Sequence, residues 1–323
     1  MQALVEQVLP RMDVVPTANP YASLLDAVTV REAAVSVLGT STRYWDYGPE
    51  NATTTIIAVH GYRGEHHGLD PVVAHLSGLR IISPDLPGFG ESEPLIGRSH
   101  DIAGYTAWLS AFVAELGIVN PVMLGHSFGS IVVSSAVAGG LEASRVILVN
   151  PIAAPALSGP NGFLSRLTLL YYRAGRALPE RLGASLLSSW VVVRFMSVFL
   201  AQSKDPAMRR WIHDQHHTYF SRYATRDSVV EGFEASITAD VSQFAARITQ
   251  RTLLVGADRD PITTVAAQER LRELFPDARL VIIPGVGHLV HYEKPREAAE
   301  AIVEFLGDGL VPEPAKPMAE GQR

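Results

Sequence analysis

Six short apolar runs recur along this chain, each cut off by glycine, proline or a small polar residue. They are TTTIIAVH (53–60), RIISPD (80–85), PVMLGH (121–126), RVILVN (145–150), RTLLVG (251–256) and ARLVIIP (278–284). Their length and β-branched content are those of strands, and each is apolar on both faces, as strands of a sheet covered on both sides must be. Segments of helical spacing lie between them. Asp101 to Leu116 lines up Trp108, Leu109, Phe112, Val113 and Leu116, Phe128 to Ala138 stops at Gly139-Gly140, and Val265 to Phe275 stops at Pro276. The last helix opens with Pro295, buries Ile302, Phe305 and Leu306, and ends at Gly307. This alternation predicts an α/β fold with a mostly parallel central sheet flanked by helices. Ahead of it, AAVSVLGTSTRYWD (33–46) reads as an antiparallel strand pair around Gly39-Thr40.

The alternation breaks once. From Pro151 to about Ala246 no strand pattern recurs and the spacing is helical, which predicts an inserted helical cap, since structureless loops of that length are rare in compact domains. The expected organisation is residues 1–150 as the first part of the core, 151–246 as the cap, 247–308 as the second part of the core, and 309–323 as a disordered tail. Proline-punctuated and polar, VPEPAKPMAEGQR supports the last of these.

Composition removes several classes of function. With 323 residues, 47% of them apolar, the chain can bury a large core. Its formal charge of −6 and the lack of a Lys/Arg-rich run argue against nucleic acid as a partner. Cysteine is absent, so disulfides, thiolate metal sites and cysteine nucleophiles are excluded, and chemistry must use oxygen or nitrogen groups. MQALVEQVLPRMDVVP lacks the basic start and apolar block of a signal peptide, so a cytoplasmic protein is expected. LGASLLSSWVVVRFMSVFLA (182–201) is long enough to span a bilayer, but Arg194 past its middle would cost roughly 2.5 to 3.5 kcal/mol there. Buried or substrate-facing helices are the reading, and docking on a membrane surface is the alternative. The oligomeric state is left open.

The chemistry centres on Gly125-His126-Ser127-Phe128-Gly129, where a strand meets a helix. Glycines there let the chain turn sharply with Ser127 at the tip, and the helix that follows aims free N–H groups at the same spot. A serine hydroxyl is a poor nucleophile without a base and without donors for the oxyanion it creates. His288, on the glycine-rich loop after ARLVIIP, is the expected base, with His291 its rival. A carboxylate must orient that base, and ADRDPIT offers Asp260, the favoured one, and Asp258. The oxyanion donors are expected from the amides of Tyr62, after Gly61, and of Phe128. The competing reading makes Ser127 a helix cap, and His60 reads as a buried hydrogen-bonding residue.

HGYRG (60–64), SPDLPGFGES (83–92), GHSFG (125–129), LLVGADRDPIT (253–263) and GHLVHYEKP (287–295) together resemble the α/β-hydrolase fold family, in its capped serine-hydrolase branch. The resemblance spans roughly Val35 to Leu306 and implies the triad order Ser127, Asp260, His288. In the family the acid precedes a short proline-containing turn a little under thirty residues before the histidine, which suits Asp260. Two departures keep Asp258 open: the G-x-x-D spacing is one residue longer here, and Thr264 stands where a proline is usual. Relatives that open epoxides or remove halides carry aspartate at the elbow, so Ser127 argues against those activities.

Other polar residues are weaker candidates. Asp85 and Ser92 read as loop-shaping groups, and His213, His216 and His217 as a solvated surface. His66 and His67 follow the oxyanion loop without a clear role. Tyr171, Tyr172, Arg173, Arg176 and Arg181 either bind a carboxylate or solvate the cap. The expected function is a serine hydrolase cleaving an ester or related acyl bond of a small, largely apolar substrate through an acyl-enzyme, without metal or other cofactor. Carbon–carbon or amide hydrolysis, acyl transfer and cofactor-free oxygenation use the same constellation in relatives, and a non-catalytic ligand-binding protein is the reading from another class.

Overall fold

The computed structural model describes residues 17–154 and 162–307. The expected tail, 309–323, lies outside them.

After a single-turn helix α1 (Ala22–Leu25), β1 (Val30–Val37) and β2 (Thr40–Tyr47) form the predicted antiparallel pair. Its turn holds Leu38 and Gly39 at φ 51° and 79°, both left-handed, a pairing whose twist suits two-residue hairpins. Then follow β3 (Thr55–Val59), a short α2 (Asp70–Val73), β4 (Arg80–Pro84), α3 (Ile102–Glu115), β5 (Val122–His126), α4 (Phe128–Ala138) and β6 (Arg145–Val149). Among the described residues only helices follow: α5 (Gly162–Ala177), α6 (Glu180–Leu187), α7 (Trp190–Leu200), α8 (Pro206–Tyr219), α9 (Arg226–Thr238) and a short α10 (Ser242–Ala245). The chain returns to the sheet with β7 (Thr252–Ala257), α11 (Val265–Leu274), β8 (Ala278–Ile283), α12 (Val290–Glu293) and α13 (Pro295–Gly307).

Among the described residues eight strands make one sheet in the order β1-β2-β4-β3-β5-β6-β7-β8, parallel from β4 to β8. The inner strands are buried on both faces, as their unbroken apolar runs require. β8 departs from that reading, because it is the edge strand and stays half-exposed over most of its length. On one face Trp108, Phe112 and Val113 of α3 and Ile131 to Val133 of α4 form the larger core; on the other, Ile302 and Phe305 of α13 pack on Leu253 and Val255. Burying such a side chain fully is worth about 1.5 to 3 kcal/mol. Asp101 caps α3 by accepting from the Gly104 amide, and Thr264 caps α11 through the Ala267 amide. That cap accounts for a threonine where the family usually has proline.

The six α5 to α10 helices lie over the carboxyl ends of the parallel strands. Leu200, Trp211 and Ile212 form a third core with Leu289 and Tyr292, just past His288, so this layer rests on the loop that carries His288.

Candidate active site

The apolar strand β5 delivers the chain to Ser127, and α4 leaves from it. Ser127 has φ 52° and ψ −117°, a conformation costing about 1 to 3 kcal/mol for a residue with a side chain. The residues two before and two after it must be glycines because the backbones touch. A Cβ on Gly129 would lie 2.2 Å from the Val59 carbonyl oxygen, and one on Gly125 2.5 Å from that of Gly129. Ser127 makes no side-chain hydrogen bond to the helix it precedes, so the helix-cap reading fails. Its hydroxyl instead donates to Nε2 of His288 at 2.8 Å.

His288 is held from behind. Its Nδ1–H donates to Oδ2 of Asp260 at 2.8 Å, which fixes the tautomer that leaves Nε2 as acceptor. Asp260 is buried and accepts three further hydrogen bonds, from the amides of Ile262 (2.8 Å) and Thr263 (3.1 Å) and from Nδ2 of Asn150 (3.1 Å). Burial alone would raise its pKa, but the adjacent imidazole and these donors hold it below the usual carboxylate value. Asp258 does a different job: it accepts from the Gly285 amide at 2.7 Å and so anchors the loop leading to His288.

The amide of Phe128 is the first of α4 and has no acceptor within its own helix. Gly61 approaches the elbow so closely that a Cβ there would sit 3.2 Å from that of Ser127, which brings the Tyr62 segment alongside. His60 is buried as read; Nδ1 bonds the Gly61 carbonyl and Nε2 accepts from the Leu86 amide, both at 2.8 Å. Asp85 shapes its loop, accepting from the His66 and Glu91 amides at 2.8 Å, and Ser92 accepts from the Arg43 amide at 2.9 Å. Glu65, His66 and His67 bring ligand atoms within 4.8 Å of one another, yet each has a partner: Glu65 has Arg222 and His67, and His66 has Asp85.

His291 packs against His126, ring centroids 4.0 Å apart, and does not reach Ser127's bond. The HDQHH reading needs correction. His213 and His216 are buried, facing inward beside Trp211 and Ile212, and both bond Oγ of Ser197, which ties α8 to α7. Burial pushes the pKa of His126 and of His216 down to about 3, helped by repulsion from His288 and His213 respectively. Unfolded imidazoles titrate near 6.5, so below that value the unfolded chain binds more protons than the folded one. Stability is therefore complete above about pH 6.5 and falls as the solution is acidified, by about 1.4 kcal/mol per pH unit for each group. Thermal unfolding should show a clearly lower Tm at pH 5 than at pH 7; equal values would contradict the neutral assignment.

Two residues escaped the sequence reading. Asn150, at φ 45°, directly follows β6 and braces Asp260; its signal was a polar residue closing an apolar run. Arg63, buried beside Tyr62, has no carboxylate partner among the described residues. It donates to the carbonyls of Phe220 (2.7 Å) and Leu187 (3.0 Å) and to the Tyr172 hydroxyl (3.2 Å). Those carbonyls close the C-terminal ends of α8 and α6, where helix dipoles are negative, so one guanidinium clasps two covering helices to the loop bearing Tyr62. Arg63→Met should lower unfolding free energy by about 2 to 4 kcal/mol by orphaning buried acceptors. Urea titration checks it, and a loss within error would refute the clasp.

These groups open into a cavity of about 540 Å³ whose walls are mostly apolar. The sheet side supplies Tyr62, Ser127 and His288, and the covering helices supply Val193, Met196 and Phe233. Known proteins share this fold. The alpha/beta hydrolase family matches residues 56–301. Epoxide hydrolase A of Mycobacterium tuberculosis is 25% identical over 314 residues, covering 85% of this chain and 97% of its own. Putative hydrolase LipZ of the same species is 26% identical over 266 residues, covering 79% and 89%. An esterase from Exiguobacterium antarcticum superposes with a TM-score of 0.69 at 17% identity, covering 85% of this chain and 99% of its own. Sheet order, strand-to-helix elbow and family match agree: the chain belongs to the alpha/beta hydrolase family of enzymes.

Proposed function

We propose that the protein is a serine hydrolase that cleaves an ester, or a related acyl bond, of a small substrate with an apolar acyl group. The observation that carries the reading is the hydrogen-bonded line from Ser127 through His288 to Asp260, opening into an apolar cavity. Ser127 Oγ attacks the carbonyl carbon while His288 Nε2 takes its proton, and Asp260 stabilises the imidazolium. The amides of Tyr62 and Phe128 hold the oxyanion. His288 then protonates the departing alcohol, and water, deprotonated by the same nitrogen, releases the acid from Ser127. The likeness to a protein named epoxide hydrolase does not bring that activity here, since the elbow residue is a serine.

A series of p-nitrophenyl esters from acetate upward tests the reading. Each methylene buried against the cavity wall is worth about 0.8 kcal/mol, so kcat/KM should rise roughly fourfold per added carbon until the cavity is full, then fall. Failure to turn over any ester in the series would sink the proposal.

A further inference from the structure

The outer face of α7 is unusual for a helix in contact with water. Trp190 is 64% exposed, Val191 66%, Phe195 57% and Val198 44%, so the stripe at i, i+1, i+5 and i+8 that ought to be polar is apolar. The inner face, with Val192, Val193 and Met196, lines the cavity. The helix is thus apolar on both sides. Phe195 belongs to both surfaces, being exposed and also part of the cavity wall, as is Ile262. The stripe therefore adjoins the cavity mouth.

Charge points to one occupant. The chain is acidic overall, yet residues 161–202 carry Arg166, Arg173, Arg176, Arg181 and Arg194 against Glu180 alone. Arg173 and Arg176 pair with Glu234, Asp227 and Glu231 of α9. Arg181 and Arg194 make no ion pair among the described residues, and Arg194 lies one turn from both Trp190 and Val198. An apolar stripe with the unpaired Arg194 set between Trp190 and Val198 matches the interface of a layer of anionic lipid: tryptophan and arginine stems sit at headgroup depth while apolar side chains enter the acyl region. The apolar stretch 182–201, long enough to span a bilayer, is interrupted at Ser188–Ser189, where α6 ends and α7 begins, which suits a helix lying on the layer.

We propose that the outer face of α7, with Arg194, is a docking surface for an anionic lipid layer, seating the cavity mouth against it. This surface does not depend on the serine chemistry, so binding is measured on the full-length Ser127→Ala protein, which leaves lipid uncleaved. Trp45, Trp108 and Trp211 are buried, so Trp190 dominates the solvent-sensitive fluorescence. With phosphatidylglycerol vesicles the protein should float, and Trp190 emission should shift to the blue and resist acrylamide. Binding to phosphatidylcholine vesicles, or at high salt, should be at least tenfold weaker. Val191→Asp combined with Val198→Asp, neither on the cavity wall, should lose vesicle binding tenfold or more. In the Ser127 background the same pair should keep hydrolysis of a water-soluble acetate ester and an unchanged Tm. Absence of flotation, or flotation unaffected by the double substitution, overturns the proposal. So does shielding of Trp190 without lipid, whether a second copy provides it, seen as a dimer in sedimentation, or residues 1–16 do, seen as loss of shielding when they are deleted.

Discussion

Replacing Ser127 with alanine should lower kcat for a p-nitrophenyl ester by about 10⁴-fold or more, close to the whole of the catalysed rate. Alanine removes the oxygen proposed to attack while the cavity walls, the two amides and the His288–Asp260 pair remain, so affinity for substrate should change little. Stability should hold or rise, because the side chain contributes nothing to capping α4 and the strained backbone is fixed by the glycine contacts around it. Circular dichroism and thermal unfolding of the variant separate lost chemistry from lost fold. Turnover within tenfold of the parent would remove Ser127 from the mechanism.

Asp260→Asn should cost about 10³ to 10⁴-fold in kcat. Oδ1 of Asp260 receives two backbone amides and Oδ2 receives both Asn150 Nδ2 and His288 Nδ1. An asparagine has one acceptor oxygen for these four donors. If its oxygen faces Ile262 and Thr263, its NH₂ confronts Asn150 and His288. His288 must then carry its proton on Nε2, where it can no longer accept from Ser127. If the side chain flips, its NH₂ confronts two buried amides that lose their acceptor, at about 1 to 3 kcal/mol each. Asp258→Asn should change kcat only a few-fold, since Asp258 holds the loop through Gly285 and not the ring. A large loss at Asp258 with a small one at Asp260 would reverse the assignment.

The sheet and the elbow were legible in the sequence because both are written in local signals. Strand cores such as VML and RVILV need apolar residues on both faces, and GHSFG needs its glycines where backbones touch. Asp260 and Asp258 could be ranked but not decided, because what separates them is which carboxylate the turn after β7 aims at His288. Arg63 and Asn150 were missed for a related reason. Their partners, Leu187 and Phe220 for the first and Asp260 for the second, lie more than a hundred residues away, and no periodicity reports such contacts. His213 and His216 were misread because a polar string, HDQHH, hides an inward helical face whose imidazoles are satisfied by a single serine, Ser197.

Covalent labelling by a fluorophosphonate reads nucleophilicity at one atom, the Ser127 oxygen, without a choice of substrate. One phosphonyl group per chain is expected, mapped to the peptide containing Ser127, with labelling at least a hundredfold slower in His288→Ala and absent in Ser127→Ala. Labelling at any other residue, or an undiminished rate without His288, would contradict the proposed triad.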